Sequence, residues 1–411
     1  MLYAFTDEQL AWQKKAREFA LEVIRPRALQ RDQIADPYAT FDWDIIRKGS
    51  KLGFRTAAAP KAYGGHGIDF VAQVLVMGEL ARGDSAMSKA FSQNWKWSHL
   101  IAENCTRDQK ERFLKPFIED DTYLLGSAST EPNAGSDNRY PPEDDPRSGW
   151  RLKAERKGDE WVLNGEKTFI ANGSVGKLFF VSARTNPDVA IREGTTVFMV
   201  PADTPGFRVG KIFNKSGWRF YQNAELIFED ARVPHANVVG EVHGGTKVRG
   251  GAAADFGDLE LAANAVGVCD AALESAWTCA KTRTRGGKRL ADHQLVQLKL
   301  NQMHFQTEAL RSYVLRSAAE MDQGVLGSPN AVLVMNFSSD VIQRVTRLNL
   351  DIHRVAGGTV DALADKLVRD GIIWTHLAGD ATQRLKVMRR LTAKAEPWVA
   401  PPSDEGCGRA D

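Results

Sequence analysis

The stretch Ser129-Thr130-Glu131-Pro132-Asn133-Ala134-Gly135-Ser136-Asp137 follows the apolar run Tyr123-Leu124-Leu125 and gathers hydroxyls, a glycine and a proline break into one loop. Such a loop can offer backbone N–H groups and hydroxyl donors to an anionic or polar ligand. Taken alone, it is equally an ordinary turn in which Thr130 and Glu131 fix the local backbone. Its surroundings carry more information, because helical periodicity lies upstream of it and β alternation downstream.

Upstream, apolar residues recur at helical spacing from Thr6 to about Arg31, with Pro26 ending or kinking that helix. Trp43 to Leu52 and Val71 to Arg82 read as further helices, joined by a turn cluster around Gly64-Gly65. Ser85 to Leu114 reads as one or two more and carries Trp95 and Trp97, large aromatics whose first role is packing. Downstream, strands are expected at Trp161-Val162-Leu163, Leu178 to Ser182, Thr195 to Val200, Phe207-Arg208-Val209 and Ala224 to Phe228. Gly158-Asp159 and Asn164-Gly165 are expected as hairpin turns. From Gly244 helices return, with the apolar positions of Leu259 to Ala280, Leu290 to Glu320 and Ala331 to Leu350 following the helical period.

The order of helices, strands and helices makes an α+β chain. Its expected units are a helical domain (1–125), a middle β domain (126–240), a C-terminal four-helix bundle (241–392) and a disordered tail (393–411). The bulk numbers are those of a soluble enzyme: 411 residues, 43% hydrophobic, 26% charged and a formal charge of +2. No strong field for nucleic acid or an anionic membrane follows from that balance. The four cysteines are widely spaced without a CxxC pair, which argues against a zinc site or disulfide framework and fits a reducing cytoplasm. No signal peptide or transmembrane run is expected.

Three further stretches accompany the opening loop: Asn164 to Gly173, Phe228-Glu229-Asp230-Ala231-Arg232-Val233-Pro234, and Arg283 to Gln294. In this order the set resembles the acyl-CoA dehydrogenases, over essentially the whole chain up to the tail. The resemblance implies the three-domain fold of that family, with a middle β-barrel, and a bound FAD. It places Thr130 and Ser136 beside the flavin and its pyrophosphate, and Phe169-Ile170-Ala171 along the ring. Phe169 stands where tryptophan is common; Ala171 stands where the family has a hydroxyl that bonds flavin N5. Arg283, Arg285, His293 and Gln294, with Arg354, Gly357 and Gly358, imply a cofactor site shared with a neighbouring subunit, and hence a homodimer or homotetramer. Asp380 and Thr382 are further implied cofactor contacts. Asn138 to Gly149, acidic and proline-rich, looks like an insertion, either a solvated loop or a gate.

The same resemblance exposes a gap. Ala378 stands where many members carry the catalytic glutamate, and Gly257 where others do. Glu260, one helical turn beyond Gly257, is the expected replacement base; Asp380 is a second candidate. The backbone N–H of Ala378 is expected to hold the thioester oxygen, with Asp255, Asp258 and Gly379 on the substrate side. Trp95 and Trp97 are expected in the core; in the alternative in which they line an acyl pocket, Asn94, Ser98 and His99 face the same cavity, though a lone histidine on such a helix is more often a satisfied core residue. The expected function is FAD-dependent α,β-dehydrogenation of a cyclic or branched acyl-CoA thioester, with an electron-transfer protein or O₂ as acceptor. The alternatives are a monooxygenase or oxidase acting on a CoA thioester, and a catalytically silent subunit.

Overall fold

The computed structural model describes residues 4–135, 145–249, 252–326 and 329–378, with positions 384, 385, 388 and 392 beyond them. Helix α1 (Asp7–Phe19) opens with a capping box: Thr6 accepts from the Gln9 N–H while the Gln9 side chain accepts from the Thr6 N–H. Pro26 does not stop the helical run. A π-helical turn, Ala20–Ile24, loosens the ladder just before it, and α2 (Arg25–Asp32) starts with the proline in its first turn, where a missing N–H costs nothing. Helices α3 (Trp43–Lys51), α4 (Phe70–Gly83) and α5 (Ser85–Asn104) follow, the last two capped by Asp69 and Asp84.

The middle unit is one sheet of eight strands: β1 (Leu125–Ala128), β2 (Lys153–Lys157), β3 (Glu160–Ala171), β4 (Leu178–Arg184), β5 (Thr195–Pro201), β6 (Phe207–Ile212), β7 (Asn223–Pro234) and β8 (Val238–Val239). Where a barrel was expected, the strand order β6-β7-β3-β2-β4-β5-β8, with β1 also on β4, leaves β6 and β8 at the ends. Gly158-Asp159 forms the expected β2–β3 turn, with Gly158 left-handed. Asn164-Gly165 does not turn the chain. It lies inside the 12-residue β3, where the pairing with β7 shifts register at Gly165.

Helices α6 (Ala252–Thr282), α7 (Gln294–Asp322), α8 (Asn330–His353) and α9 (Leu363–Ala378) form the C-terminal bundle. One continuous core joins it to the N-terminal helices: Phe91 and Trp95 of α5 share a cluster with Phe256 and Leu259 of α6 and Trp374 of α9. The approach of α6 to α4 requires a glycine, since a Cβ at Gly267 would lie 2.1 Å from the Gly78 carbonyl oxygen. Lys366 of α9 reaches Asp84 at the start of α5 at 2.6 Å, a buried ion pair across the same junction. The first half of α6 is thereby set against α5, which frames the site below. Among the described residues no helix is long and apolar enough to cross a membrane, and no cluster of His, Cys, Asp or Glu could hold a metal.

Candidate active site

The opening loop is fixed from beneath by a buried charge pair. Glu131 accepts from the backbone N–H groups of Arg151 (2.6 Å) and Leu152 (3.0 Å) and from Lys167 Nζ (2.7 Å). Burial holds the Lys167 amine down to about 8 despite that carboxylate. The Thr168 N–H donates to the Thr130 carbonyl at 2.8 Å, so Thr130 is held against β3 beside Phe169. Ser136 lies outside the described residues, as does most of the expected insertion.

Phe169 breaks the alternation of β3. Its φ is +54°, at the register shift between Lys167 and Ile170, and its ring is 54% exposed. Beneath it Phe213 stacks at 3.9 Å and 18°, and Asn223 Nδ2 donates to the Phe169 carbonyl at 2.7 Å. An apolar ring held in a strained backbone and left open is a surface made for another flat ring. Ile170 departs from expectation: its side chain is buried in the sheet core, because the bulge turns Phe169 outward and Ile170 inward. Ala171 is half-buried and packs toward the helical core. Just beyond it Asn172 donates to the Leu125 carbonyl at 3.1 Å, and its own Oδ1 is buried without a partner among the described residues.

The α5–α6 junction belongs to the core cluster against which Ala171, at the end of β3, packs. Asn94 does not face a cavity: its Oδ1 accepts from the Leu125 N–H at 2.8 Å and its amide bonds the Ala90 and Phe91 carbonyls, so it ties α5 to β1. Ser98 bonds back to the Trp95 carbonyl. Trp95 is core, its indole N–H donating to the Phe54 carbonyl at 2.6 Å, and Trp97 stacks on Phe180. His99 is walled by Phe70 and Phe256; burial pushes its pKa down to about 4, and its Nε2 has no partner among the described residues.

Glu260, the expected base, is fully buried as the counter-ion of Lys89, whose Nζ reaches its two oxygens at 2.6 and 2.8 Å; Ser92 donates to it as well. The Tyr221 hydroxyl, raised well above its usual range by burial and by the Glu260 charge, is enclosed nearby. Asp255 is buried and Asp258 half-buried on the same turn of α6. Lys96, which the sequence reading passed over, lies directly over Gly257: a Cβ built there would sit 2.5 Å from its Nζ. Its signal was present in the sequence as helical spacing, since Lys89, Ser92 and Lys96 recur at i, i+3 and i+7. Ala378 ends α9, and Gly379, Asp380 and Thr382 lie outside the described residues.

A second group of expected residues meets at the other end of α6. Arg283 donates to the His353 carbonyl at 3.2 Å, joining the hairpin of β9 (Thr284–Arg285) and β10 (Lys288–Arg289) to the end of α8. His293 bonds the Arg285 carbonyl at 3.0 Å and sits at the start of α7, whose first residue is the exposed Gln294. Arg354 is exposed with φ +58°; Gly357 is buried, while Gly358, Gly286 and Gly287 would meet nothing within 4 Å of an added Cβ. Exposed guanidinium groups beside open glycine backbone suit a diphosphate, and the Phe169 face suits a flavin ring, so the residues present fit FAD. From Gly257 to Thr282 the helix α6 rises roughly 38 Å. The Arg283 group therefore lies at the far end of α6 from Gly257.

Known proteins resemble the chain along nearly its whole length. Three family models match in order: acyl-CoA dehydrogenase N-terminal domain (6–121), middle domain (126–231) and C-terminal domain (248–392). The chain is 33% identical over 392 residues to a short-chain-specific acyl-CoA dehydrogenase of Megasphaera elsdenii, covering 94% of this chain and 98% of that one. It is 31% identical over 388 residues to an acyl-CoA dehydrogenase of Bacillus subtilis (strain 168), again covering 94% and 98%. Among solved structures, butyryl-CoA dehydrogenase from Megasphaera elsdenii superposes with a TM-score of 0.88 at 30% identity, covering 96% of this chain and 100% of that one.

Proposed function

Because the chain belongs to the acyl-CoA dehydrogenase family, we propose that it oxidises the α,β bond of an acyl-CoA thioester with FAD, the acyl group being cyclic or branched. The observation that carries this reading is Phe169, held open by a left-handed bulge over Phe213 and beside Thr130, on the side of the sheet that joins α5 through Asn94. When bound, FAD supplies the acceptor for the β hydride. Thr130, Ser136, Phe169, Ala171, Asp380 and Thr382 would hold its ring side, Ile170 through backbone alone. Arg283, Arg285, His293, Gln294, Arg354, Gly357 and Gly358 of a second copy would hold the diphosphate side.

A dimer or dimer-built tetramer is supported by the exposed Leu295, Leu298 and Phe305 of α7, an apolar stripe beside Gln294. Asp255, Asp258 and Gly379 would border the substrate, and the Ala378 N–H would hold the thioester oxygen as charge develops there. Electrons would leave to an electron-transfer protein or to O₂.

Incubation of the FAD-loaded protein with cyclic, branched and linear acyl-CoAs and an artificial electron acceptor tests the reading. The expected product lacks two hydrogens relative to its substrate by mass. Ala171, which offers no hydroxyl beside Phe169, favours as second reading an oxygen-using reaction, and product carrying an atom from labelled O₂ would establish that instead. Protein purified without FAD and unable to take it up would mark a silent subunit.

A further inference from the structure

We propose that Lys215 is a positioning residue for the flavin: through Asn223 it fixes the Phe169 platform, and its charge favours the reduced form of the ring held there. The assignment rests on the FAD-dependent reading above and adds the group that tunes the cofactor. Lys215 lies in the loop between β6 and β7, two residues past the Phe213 ring that backs Phe169. Its Nζ donates to the Tyr221 carbonyl at 2.6 Å and to Asn223 Oδ1, and Asn223 Nδ2 donates in turn to the Phe169 carbonyl at 2.7 Å. An ammonium has donors only, so the amide oxygen must face Lys215 and the amide N–H groups are left for Phe169. A reversed amide would set donor against donor at one end and oxygen against oxygen at the other. The lysine thereby decides how Asn223 points. Asn223 grips the peptide of a residue whose left-handed φ of +54° persists only where its neighbours hold it.

The loop is itself fixed on α9. The Trp218 N–H donates to Asp370 at 2.8 Å, and Arg369 Nη1 donates to the Ser216 carbonyl at 2.7 Å. A Cβ at Gly217 would lie 2.4 Å from the Arg369 carbonyl oxygen, a backbone atom that cannot swing aside, so glycine is what lets the loop seat there. Arg219 donates to the Lys215 carbonyl at 3.1 Å.

Lys215 has no counter-ion of its own: among the described residues no carboxylate forms an ion pair with Nζ, and Asp370, whose charge acts on it, is paired with Lys366 at 2.6 Å. Burial pulls the amine down to about 7 and Asp370 raises it only in part, so at pH 6 it is an ammonium. The Tyr221 ring, 5.6 Å from Nζ, accommodates that charge. A cation partly shielded from water and left unneutralised stabilises negative charge arriving nearby. A hydride accepted by the ring brings one hydrogen and one negative charge onto it, and the substrate loses the same hydrogen with its electron pair.

The test reads the flavin without any acyl-CoA. FAD-loaded protein is reduced at pH 6 beside a dye of known potential, and the two absorbances give the flavin midpoint. Lys215→Met is expected to lower the equilibrium constant for reduction about tenfold, about 30 mV for a two-electron couple. Lys215→Arg, which keeps charge and donors, is expected to restore it to within about threefold of wild type. Lys215→Gln, which keeps a donor without charge, is expected to fall like Lys215→Met and serves if the methionine variant does not fold. Fluorescence titration of FAD-free protein gives a second readout. FAD affinity is expected to fall about tenfold in Lys215→Met and in Asn223→Leu, and no further in the double variant, because either change breaks one chain of contacts. A wild-type midpoint in Lys215→Met or Lys215→Gln, or losses of affinity that add in the double variant, overturns the assignment. Wild-type protein that takes up no FAD overturns it together with the reading it rests on. Bound flavin that no acyl-CoA reduces sinks that reading alone, since the dye titration needs no substrate.

Discussion

Lys167 on β3 and Glu131 in the loop ahead of it are joined at 2.7 Å with both side chains buried, and through this pair the sheet determines where Thr130 sits. Lys167→Met would strand the Glu131 carboxylate in the interior. It is expected to destabilise the protein by about 3–5 kcal/mol and to lower FAD occupancy, both measurable on one preparation by denaturant unfolding and flavin absorbance.

The same lysine predicts a pH signature. Its folded-state pKa, about 8, lies below the ordinary lysine value. Between about pH 8 and the ordinary value the unfolded chain binds more protons, so this group makes stability rise with pH across that window. Thermal melts of wild type minus Lys167→Met should show that rise; a flat difference would contradict it.

His99 acts in an acid window. Burial holds its pKa near 4, below the ordinary histidine value of about 6.5. The unfolded chain therefore binds more protons between these values, and stability falls as pH drops from about 6.5 toward 4. His99→Leu should flatten this part of the profile, gaining on wild type at pH 5 relative to pH 7 in thermal melts.

Phe169 combines backbone strain with an exposed ring, and its replacement separates the two. Phe169→Gly relieves a left-handed conformation worth about 1–2 kcal/mol while removing the stacking surface. FAD-free protein should be no less stable than wild type, and the FAD to protein ratio should fall. Equal FAD binding would show that the ring is not the flavin's platform.

A cofactor site shared between copies predicts complementation. Phe169→Ala and Arg283→Ala each spoil every site in a homodimer. Refolding the two together at equal amounts should restore about a quarter of wild-type turnover, because mixed dimers carry one intact site. If both residues served one chain's own cofactor, mixing would restore nothing.

Much of this arrangement was legible from local signals. The helical periods and the Gly158-Asp159 turn depend on neighbours in sequence, and they appear in the fold as read. Asn164-Gly165 misled because the same residues serve a turn and a bulge, and only the pairing of β3 with β7 decides between them. Ile170 was placed on the ligand side because the bulge that inverts it was not visible. The gap at Gly257 was legible as an absence, while the side chain that lies over it, Lys96, comes from 161 positions away. Glu260 was chosen for its face of the helix; that face meets Lys89, a partner no spacing rule names.

The most direct measurement is anaerobic titration of the FAD-loaded protein with cyclic, branched and linear acyl-CoAs, followed by flavin absorbance. The account predicts that at least one cyclic or branched acyl-CoA bleaches the flavin stoichiometrically and yields the α,β-unsaturated thioester. Flavin that stays oxidised against every thioester that binds would contradict it.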